Sequence, residues 1–238
     1  MKRPDDNNPK SISHKLRKKR FSWIEDILYR MLETQDEVKI LDIGGRAKYW
    51  NLMDEALRPK VHVTIANLAE DEFFGVMTPE GLNVEHVVAN GCDMPQFADK
   101  SFDLCHSNSV IEHVGSLQNM IAFAAESQRV SREYFHQTPS LWFPIEPHYG
   151  FPFLHWLPKA ARASALATFK LGYGTRAKSY QEAFMRADHT EIITPGQMRA
   201  LFPNGEMLKE RFALMVKSVA VRGISEGNEV VQGAEEAA

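Results

Sequence analysis

The chain has 238 residues, a hydrophobic fraction of 44%, a charged fraction of 25% and a formal net charge of −3. This length suits one large domain, or one domain with a small insertion, and it allows a sizeable core. The slightly acidic balance argues against a nucleic-acid-binding protein. The two cysteines, Cys92 and Cys105, have no metal-ligand pattern around them and favour a reducing, cytoplasmic compartment.

The two ends of the chain differ in charge. Eight basic residues stand among the first 20, against Asp5 and Asp6 only. We expect residues 1–20 to form a basic flexible tail, either simply solvated or in peripheral contact with an anionic membrane or another polyanion. Residues 223–238 are acidic and small, which predicts a disordered tail. No apolar run is long enough to cross a bilayer, and the N-terminal residues lack the apolar core of a secretory signal. We therefore expect a soluble protein.

Alternation of strand-like and helix-like segments predicts an α/β fold. Ser22 and Glu25 form a capping-box pattern ahead of an amphipathic helix, and Val38–Ile43 is a buried strand that ends at a glycine pair. Apolar and β-branched runs predict further parallel strands at residues 61–65, 84–88, 102–106 and 134–138, helices at 49–57 and 117–130, and two closing antiparallel strands at 207–212 and 214–221. The pattern predicts a doubly wound, mostly parallel sheet.

After the fifth strand, prolines and aromatic side chains crowd the chain. Prolines interrupt any regular helix there, whereas the aromatics argue for a packed segment over a loose linker. Helical patterns follow at 159–169, 180–186 and 195–201, the last beginning at Thr194-Pro195. We predict one domain over residues 21–222, with a proline-rich and aromatic cap inserted at about 139–190.

The glycine pair after the first strand is the first candidate for binding. Glycines at a strand end let a ligand approach the backbone, and in doubly wound sheets ligands bind beyond the carboxyl ends of the strands. Asp42 either holds an ammonium group or orders the turn, and Gly44-Gly45 as an ordinary turn is the alternative. The Gly-x-Gly-x-x-Gly pattern of dinucleotide sites is absent.

A second segment is more specific. The run from Gly91 to Val114 resembles the Gly-Asp-Ala-x-x-Leu-Pro-Phe-x-Asp-x-Ser-Phe-Asp-x-Val…Glu-His-Val run of class I methyltransferases of the type 11 group, in order and spacing. The resemblance extends through Arg129-Val130 and Thr138-Pro139 and covers most of residues 37–221. It implies a seven-stranded Rossmann-like methyltransferase fold with an antiparallel last strand, and S-adenosylmethionine as the cofactor.

The resemblance assigns roles at the first two strand ends. Asp42, Gly44 and Gly45 match the loop that cradles the methionine end of S-adenosylmethionine. Asn67 stands where the family usually carries an acid that accepts both ribose hydroxyls. Its amide oxygen can accept a hydrogen bond but carries no charge. The family's loop is often Asp-x-Gly-x-Gly, whereas here Arg46 follows Gly45.

At the ends of the third and fourth strands, the resemblance implies contacts with the adenine and with the transferable methyl group. Asp93 matches the acid that accepts from the adenine amino group, and Cys92 and Met94 flank the base. Ser107 and Asn108 lie beside the methionine portion and the transferable methyl.

The segment 143–158 resembles the Phe-Pro-Ile-Glu-Pro-His…Pro-Phe…Leu-Pro segment of a bacterial subgroup, which helps to build the acceptor pocket. Glu146 and His148 are therefore the candidates for a catalytic base, with His155, His113 and Tyr149 behind them. For each of the three histidines, the alternative is a structural role in which the ring only donates a hydrogen bond to a backbone carbonyl.

We therefore expect a cytoplasmic enzyme that methylates an oxygen or nitrogen of a small-molecule, glycan-like or lipid-linked acceptor. A non-catalytic S-adenosylmethionine-binding module and a dinucleotide-dependent oxidoreductase are the alternatives. The nine histidines are scattered without a His-x-x-x-His pattern, so no metal is expected. The sequence carries no signal for an oligomeric state.

Overall fold

The structure is a computed structural model that describes residues 10–73, 77–146 and 148–225. Seven strands form one sheet: β1 (Val38–Ile43), β2 (Val61–Asn67), β3 (Asn83–Val88), β4 (Phe102–Asn108), β5 (Ser131–Pro139), β6 (Glu206–Phe212) and β7 (Met215–Ile224). Five α-helices accompany them among the described residues: α1 (Ile12–Met31), α2 (Leu117–Val130), α3 (Lys159–Thr168), α4 (Tyr180–Asp188) and α5 (Pro195–Leu201). Five short 3₁₀ segments are Ala47–Leu52, Arg58–Lys60, Glu70–Phe73, Ile111–His113 and Leu154–Trp156.

The strand order is β3-β2-β1-β4-β5-β7-β6. Strands β1 to β5 run parallel, whereas β7 pairs antiparallel with both β5 and β6. The chain moves outward from β1 to β3 and then returns to place β4 beside β1. This reversal opens a crevice at the carboxyl ends of β1 and β4, the place where doubly wound sheets bind ligands. The predicted fold class is confirmed.

Two cores cover the two faces of the sheet. Successive strand residues point to opposite faces: Ile40 packs with α1 and Trp50 on one side, and Leu41 packs with α2 and α5 on the other. Only 3₁₀ segments lie between β1 and β3 in the described residues, so α1 supplies the regular helix there.

Helix α1 begins eleven residues earlier than the capping-box pattern predicted, so part of the expected flexible tail is helical. Its N-cap is Ser11, whose side chain accepts from the His14 N–H. Glu25 does not reach back to Ser22. Its carboxylate accepts from the backbone N–H of Asp54 at 2.9 Å and pairs with Lys18. A tertiary contact has thus taken over the residue that the local pattern assigned to a cap. The first nine residues of the expected tail lie outside the described residues.

The helix predicted at 49–57 is wrong; the chain makes only the 3₁₀ turn Ala47–Leu52. Trp50 is tied to the end of β1 through its indole N–H, which fixes the segment from its first turn. Beyond it, the Asp54 carboxylate accepts from the Ala56 N–H at 3.0 Å, an Asx-type bond that competes with helix continuation.

At the C-terminal side, β7 continues to Ile224 and pairs with β5 as far as Glu133. Residues 223 and 224, expected in the acidic tail, therefore belong to the sheet. The rest of that predicted tail, 226–238, lies outside the described residues.

Residues 140–190 contain α3, α4 and a small core of their own around Leu154, Leu166 and Ala183. The aromatic side chains expected to fill this cap are only partly used for packing. Trp142, Phe153 and Trp156 keep 60%, 52% and 45% of their surface exposed. The cap therefore presents aromatic surface. No helix among the described residues is long and apolar enough to cross a membrane.

The early start of α1 generates a stability prediction. Buried Arg20 donates to Glu210 on β6 at 2.9 Å and to Asn108 Oδ1 at the end of β4 at 2.9 Å. Arg20→Ala removes one of the two cations of the buried Glu210 carboxylate and leaves only Lys217, at 3.4 Å, which costs about 3 kcal/mol. Urea unfolding should show this loss, and Lys19→Ala, an exposed neighbour, should stay within about 0.5 kcal/mol. Equal midpoints for the two variants would contradict the docking of α1.

Candidate functional site

The carboxylate of Asp42 is fully engaged by protein groups at the end of β1. Asp42 is 1% exposed; its Oδ2 accepts from the indole N–H of Trp50 at 2.8 Å, and its Oδ1 lies 2.6 Å from His106 Nδ1. A Cβ on Gly45 would lie 1.8 Å from Asp42 Oδ2, so position 45 has room only for glycine. Of the two roles expected for Asp42, the geometry favours ordering the turn.

The loop after β1 is held to the end of β2. Gly44 adopts a φ of +66°, which favours glycine, and its N–H donates to the Ala66 carbonyl at 2.7 Å. Asn67, 5% exposed, donates from Nδ2 to the Gly45 carbonyl at 3.1 Å. An acid at position 67 could not donate this bond. The amide that replaces the family's acid therefore ties the loop and still leaves an oxygen that can accept.

The third strand end presents one carboxylate to solvent. Asn90 closes a tight turn by accepting from the backbone N–H groups of Cys92 and Asp93. Asp93 is exposed, and Cys92 is half-buried with its thiol donating to the Asn119 carbonyl. Burial raises the pKa of the Cys92 thiol, which stays neutral. Met94 has no exposed surface, so its side chain cannot flank a base in this arrangement.

At the end of β4, the predicted pair divides. Ser107 is fully buried, and its hydroxyl lies 2.9 Å from Nδ1 of His136 on β5. Asn108 is half-buried, and its amide oxygen is the one that accepts from Arg20. Asn108 therefore stands at the crevice, whereas Ser107 supports the strand behind it.

The cap brings the two predicted catalytic residues together. Buried Glu146 accepts from the backbone N–H groups of His148 and Tyr149 at 2.8 and 2.9 Å, and it also accepts from Nδ1 of His148. Burial alone raises the pKa of Glu146, but the hydrogen bonds and charge of His148 outweigh it and lower that pKa below its ordinary value. A charged carboxylate therefore orients the imidazole of His148.

Glu112 and His113, in the 3₁₀ turn that follows β4, lie next to this pair on the side of the sheet. Nε2 of His113 lies 2.9 Å from Nε2 of His148, and Nδ1 of His113 donates to the His189 carbonyl at 3.1 Å. Burial lowers the pKa of His113. Glu112 is fully buried beside them and accepts from the Thr138 hydroxyl at 3.0 Å. Burial raises the pKa of Glu112 to about 7.

The remaining cap candidates bond backbone carbonyls. His155 Nε2 donates to the Leu141 carbonyl at 3.0 Å, and the Tyr149 hydroxyl donates to the Arg186 carbonyl at 3.0 Å. A cleft of about 430 Å³ lies beside them; its lining includes Trp142, His155, Trp156, Arg162, Glu191 and Gln197. Its volume falls within the range of small-molecule pockets. A second cleft, of about 480 Å³, lies between α1 and residues 51–58 and contains none of the predicted site residues.

Sequence reasoning missed Arg20, Trp50 and His106, which support the predicted residues Asn108 and Asp42. It also missed Thr138, which supports Glu112. Their partners lie 8 to 190 positions away, so no local pattern marks them. The sequence indicated no role for Glu112 beyond its place in the Glu-His-Val motif. Its signal is a charged residue within the short turn that follows the end of β4.

Comparison with known proteins agrees with this geometry. A family model described as a methyltransferase domain, of the type 11 group, matches residues 56–133, which include β2, β3, β4 and α2. Residues 56–133 therefore match a methyltransferase domain. The cofactor of this enzyme class is S-adenosylmethionine, and the dinucleotide-dependent alternative has no comparable support. No curated protein sequence matches the chain.

Solved structures share the fold at low identity. DszA carbon methyltransferase has a TM-score of 0.58 at 7% identity, covering 90% of this chain and 55% of that one, so this chain spans about half its length. N-methyltransferase NodS from Bradyrhizobium japonicum WM9 has a TM-score of 0.50 at 10% identity, covering 94% and 100%. A Rhodobacter sphaeroides protein named for Zn-dependent alcohol dehydrogenases has a TM-score of 0.52 at 11% identity, covering 89% and 98%. These similarities show the fold and leave the acceptor open.

Buried His136 behind Ser107 generates a pH prediction. Burial, with a smaller effect from His106, lowers the pKa of His136 to about 3. Between about pH 6.5 and 3 the unfolded chain then binds more protons, so stability falls as the pH falls, by about 1.4 kcal/mol per unit. His136→Phe removes this dependence.

The test is urea unfolding of His136→Phe and of wild type at pH 6.5 and at pH 4.5. Relative to wild type, the unfolding free energy of His136→Phe should be about 2–3 kcal/mol higher at pH 4.5 than at pH 6.5. Phe123→Leu, a substitution against the same ring, should show no such shift. Parallel pH profiles for His136→Phe and wild type would contradict a neutral buried imidazole.

Proposed function

We propose that this chain transfers the methyl group of S-adenosylmethionine to an oxygen or nitrogen of a small-molecule, glycan-like or lipid-linked acceptor held beneath the cap. The observation that carries the proposal is the Glu146–His148 pair, because a charged, buried carboxylate orients an imidazole beside the ends of β4 and β5. This arrangement is typical of a general base.

The donor set at the first three strand ends fits the cofactor chemically. Backbone groups of Gly44 and Gly45 would meet its methionine end, the amide oxygen of Asn67 would accept from the ribose, and the exposed Asp93 carboxylate would accept from the adenine amino group. Cys92, neutral and half-buried, would contact the base. The bound cofactor supplies the electrophilic methyl group. The protein has to align the acceptor and remove its proton.

The acceptor side would be built from the cap. The cleft beside His155 combines exposed faces of Trp142 and Trp156 with the guanidinium of Arg162. Flat or sugar-like groups stack on such aromatic faces, and a cation suits an acceptor that carries negative charge. These features support a small polar acceptor or the head of a linked one.

A non-catalytic binding module is the second candidate, and the uncharged Asn67 is the observation that favours it. Membrane contact through the basic N-terminal residues stays a prediction. Its charge is partly used within the protein, since Lys18 and Arg20 already pair with Glu25 and Glu210.

Cofactor binding is tested by isothermal titration with S-adenosylmethionine and S-adenosylhomocysteine. Asp93→Asn keeps the shape but removes the charged acceptor, which should weaken both affinities about tenfold to a hundredfold, corresponding to about 1.5–3 kcal/mol. Asp36→Asn changes an exposed residue just before β1, at the amino ends of the strands, and should leave both affinities unchanged. Equal affinities for the two variants would remove Asp93 from the site.

Catalysis is tested with a panel of hydroxyl and amine acceptors by following S-adenosylhomocysteine formation. His148→Gln should lower kcat by about 10²–10⁴-fold, the usual contribution of a general base, while cofactor affinity stays at the wild-type level. His62→Gln, on β2 away from the cap, is the matched control. Cofactor binding with no transfer to any acceptor would favour the non-catalytic module.

A further inference from the structure

We propose that Glu112, His113 and His148 bind one divalent transition-metal ion between the sheet and the cap. Their ligand atoms all lie within 4.8 Å of one another, and they come from two separate segments, the 3₁₀ turn after β4 and the cap. No pattern in the sequence marks this group, because His148 stands 35 positions after His113.

The two imidazole rings are already oriented as metal ligands are. Nδ1 of His113 faces the His189 carbonyl and Nδ1 of His148 faces the Glu146 carboxylate. Both partners only accept, so each Nδ1 carries the hydrogen. The two Nε2 atoms then lie 2.9 Å apart and share one proton in a hydrogen bond. Metal-binding histidines are held in this way, with the second nitrogen donating to a carbonyl or carboxylate. A metal cation would take the place of the proton that the two Nε2 atoms share.

Glu112 supplies the third ligand. Its Oε2 accepts from the Thr138 hydroxyl, whereas its fully buried Oε1 has no partner among the described residues. A buried carboxylate oxygen without a partner is costly. A bound cation removes that cost and supplies the positive charge that the buried carboxylate lacks.

The donor set selects the class of ion. Two imidazole nitrogens and one carboxylate, with further positions open, form a typical catalytic zinc site, and the same set suits Co²⁺. Mg²⁺ and Ca²⁺ prefer oxygen ligands and should bind weakly. Binding of the ion does not depend on the proposed function. The role of the ion does depend on the proposed function. An acceptor hydroxyl bound at the open position of the ion would lose its proton more easily, and the proton would go to solvent instead of to His148.

Titration of the full chain, stripped with a chelator, with Zn²⁺ tests the site, and the visible spectrum of added Co²⁺ reports the ligand geometry. We expect one ion per chain, and Mg²⁺ in excess should not compete. Glu112→Gln keeps an oxygen for Thr138 yet should weaken Zn²⁺ binding at least tenfold, as should His113→Gln. Glu146→Gln should weaken it about 10–100-fold through His148. His62→Gln, a histidine on β2, should leave it unchanged.

A folded wild-type chain that binds no stoichiometric Zn²⁺ would overturn the site and leave a shared proton between the two imidazoles. Binding that is unchanged in both Glu112→Gln and His113→Gln would assign the ion to surface histidines and equally overturn it. Circular dichroism confirms that each variant is folded, and Glu112→Gln alone decides if His113→Gln does not fold. Titration with S-adenosylmethionine in parallel separates the two proposals: cofactor binding without zinc overturns only the metal site, and zinc without cofactor overturns only the proposed function.

Discussion

The arrangement of the crevice depends on one buried carboxylate. Asp42 holds Trp50 from the following segment and His106 from the neighbouring strand, so it joins β1, β4 and the loop between β1 and β2 at a single point. Strand alternation turns Asp42 and His106 to the same face, where the ring of His106 stacks between Tyr49 and Phe135. With the carboxylate folded against it, position 45 must be glycine, and the loop lies close to the sheet. The backbone that would meet a cofactor is therefore fixed before any ligand binds.

A second buried charge connects the rest of the molecule to that crevice. Arg20 reaches from α1 to Asn108 at the end of β4 and to Glu210 on β6, three elements far apart in sequence. Burial of a guanidinium requires such partners, because its desolvation is otherwise too costly. The basic segment before residue 20 is consequently drawn into a helix that runs beside the strand ends. Part of the positive charge of this segment therefore stabilises the fold, in addition to its contribution to the surface potential.

The sequence predicted elements whose signals are local and missed those set by distant partners. Helices α2 and α5 have the predicted bounds, because Ser116 and Thr194 cap them with their own side chains. The start of α1 was wrong, because Glu210, which fixes Arg20, lies 190 positions away. The site divides in the same way. Strand ends could be located from hydrophobic runs, whereas the burial of Met94 and Ser107 depends on helices that pack from elsewhere. The meeting of His113 with His148 depends on how the cap folds back.

The two halves of the site are held by different means, and this difference bears on specificity. The proposed cofactor half rests on bonds within the sheet and its first loop, such as those of Asp42 and Asn67. The proposed acceptor half rests on bonds from the cap and the residue after it: the His189 carbonyl accepts from His113, and the Glu191 N–H donates to the Glu112 carbonyl at 2.8 Å. A change in the cap would therefore move the side chains of Glu112 and His113 relative to His148 without disturbing the loop after β1. A fold arranged in this way can change its acceptor through the segment after β5 while it keeps the cofactor site constant.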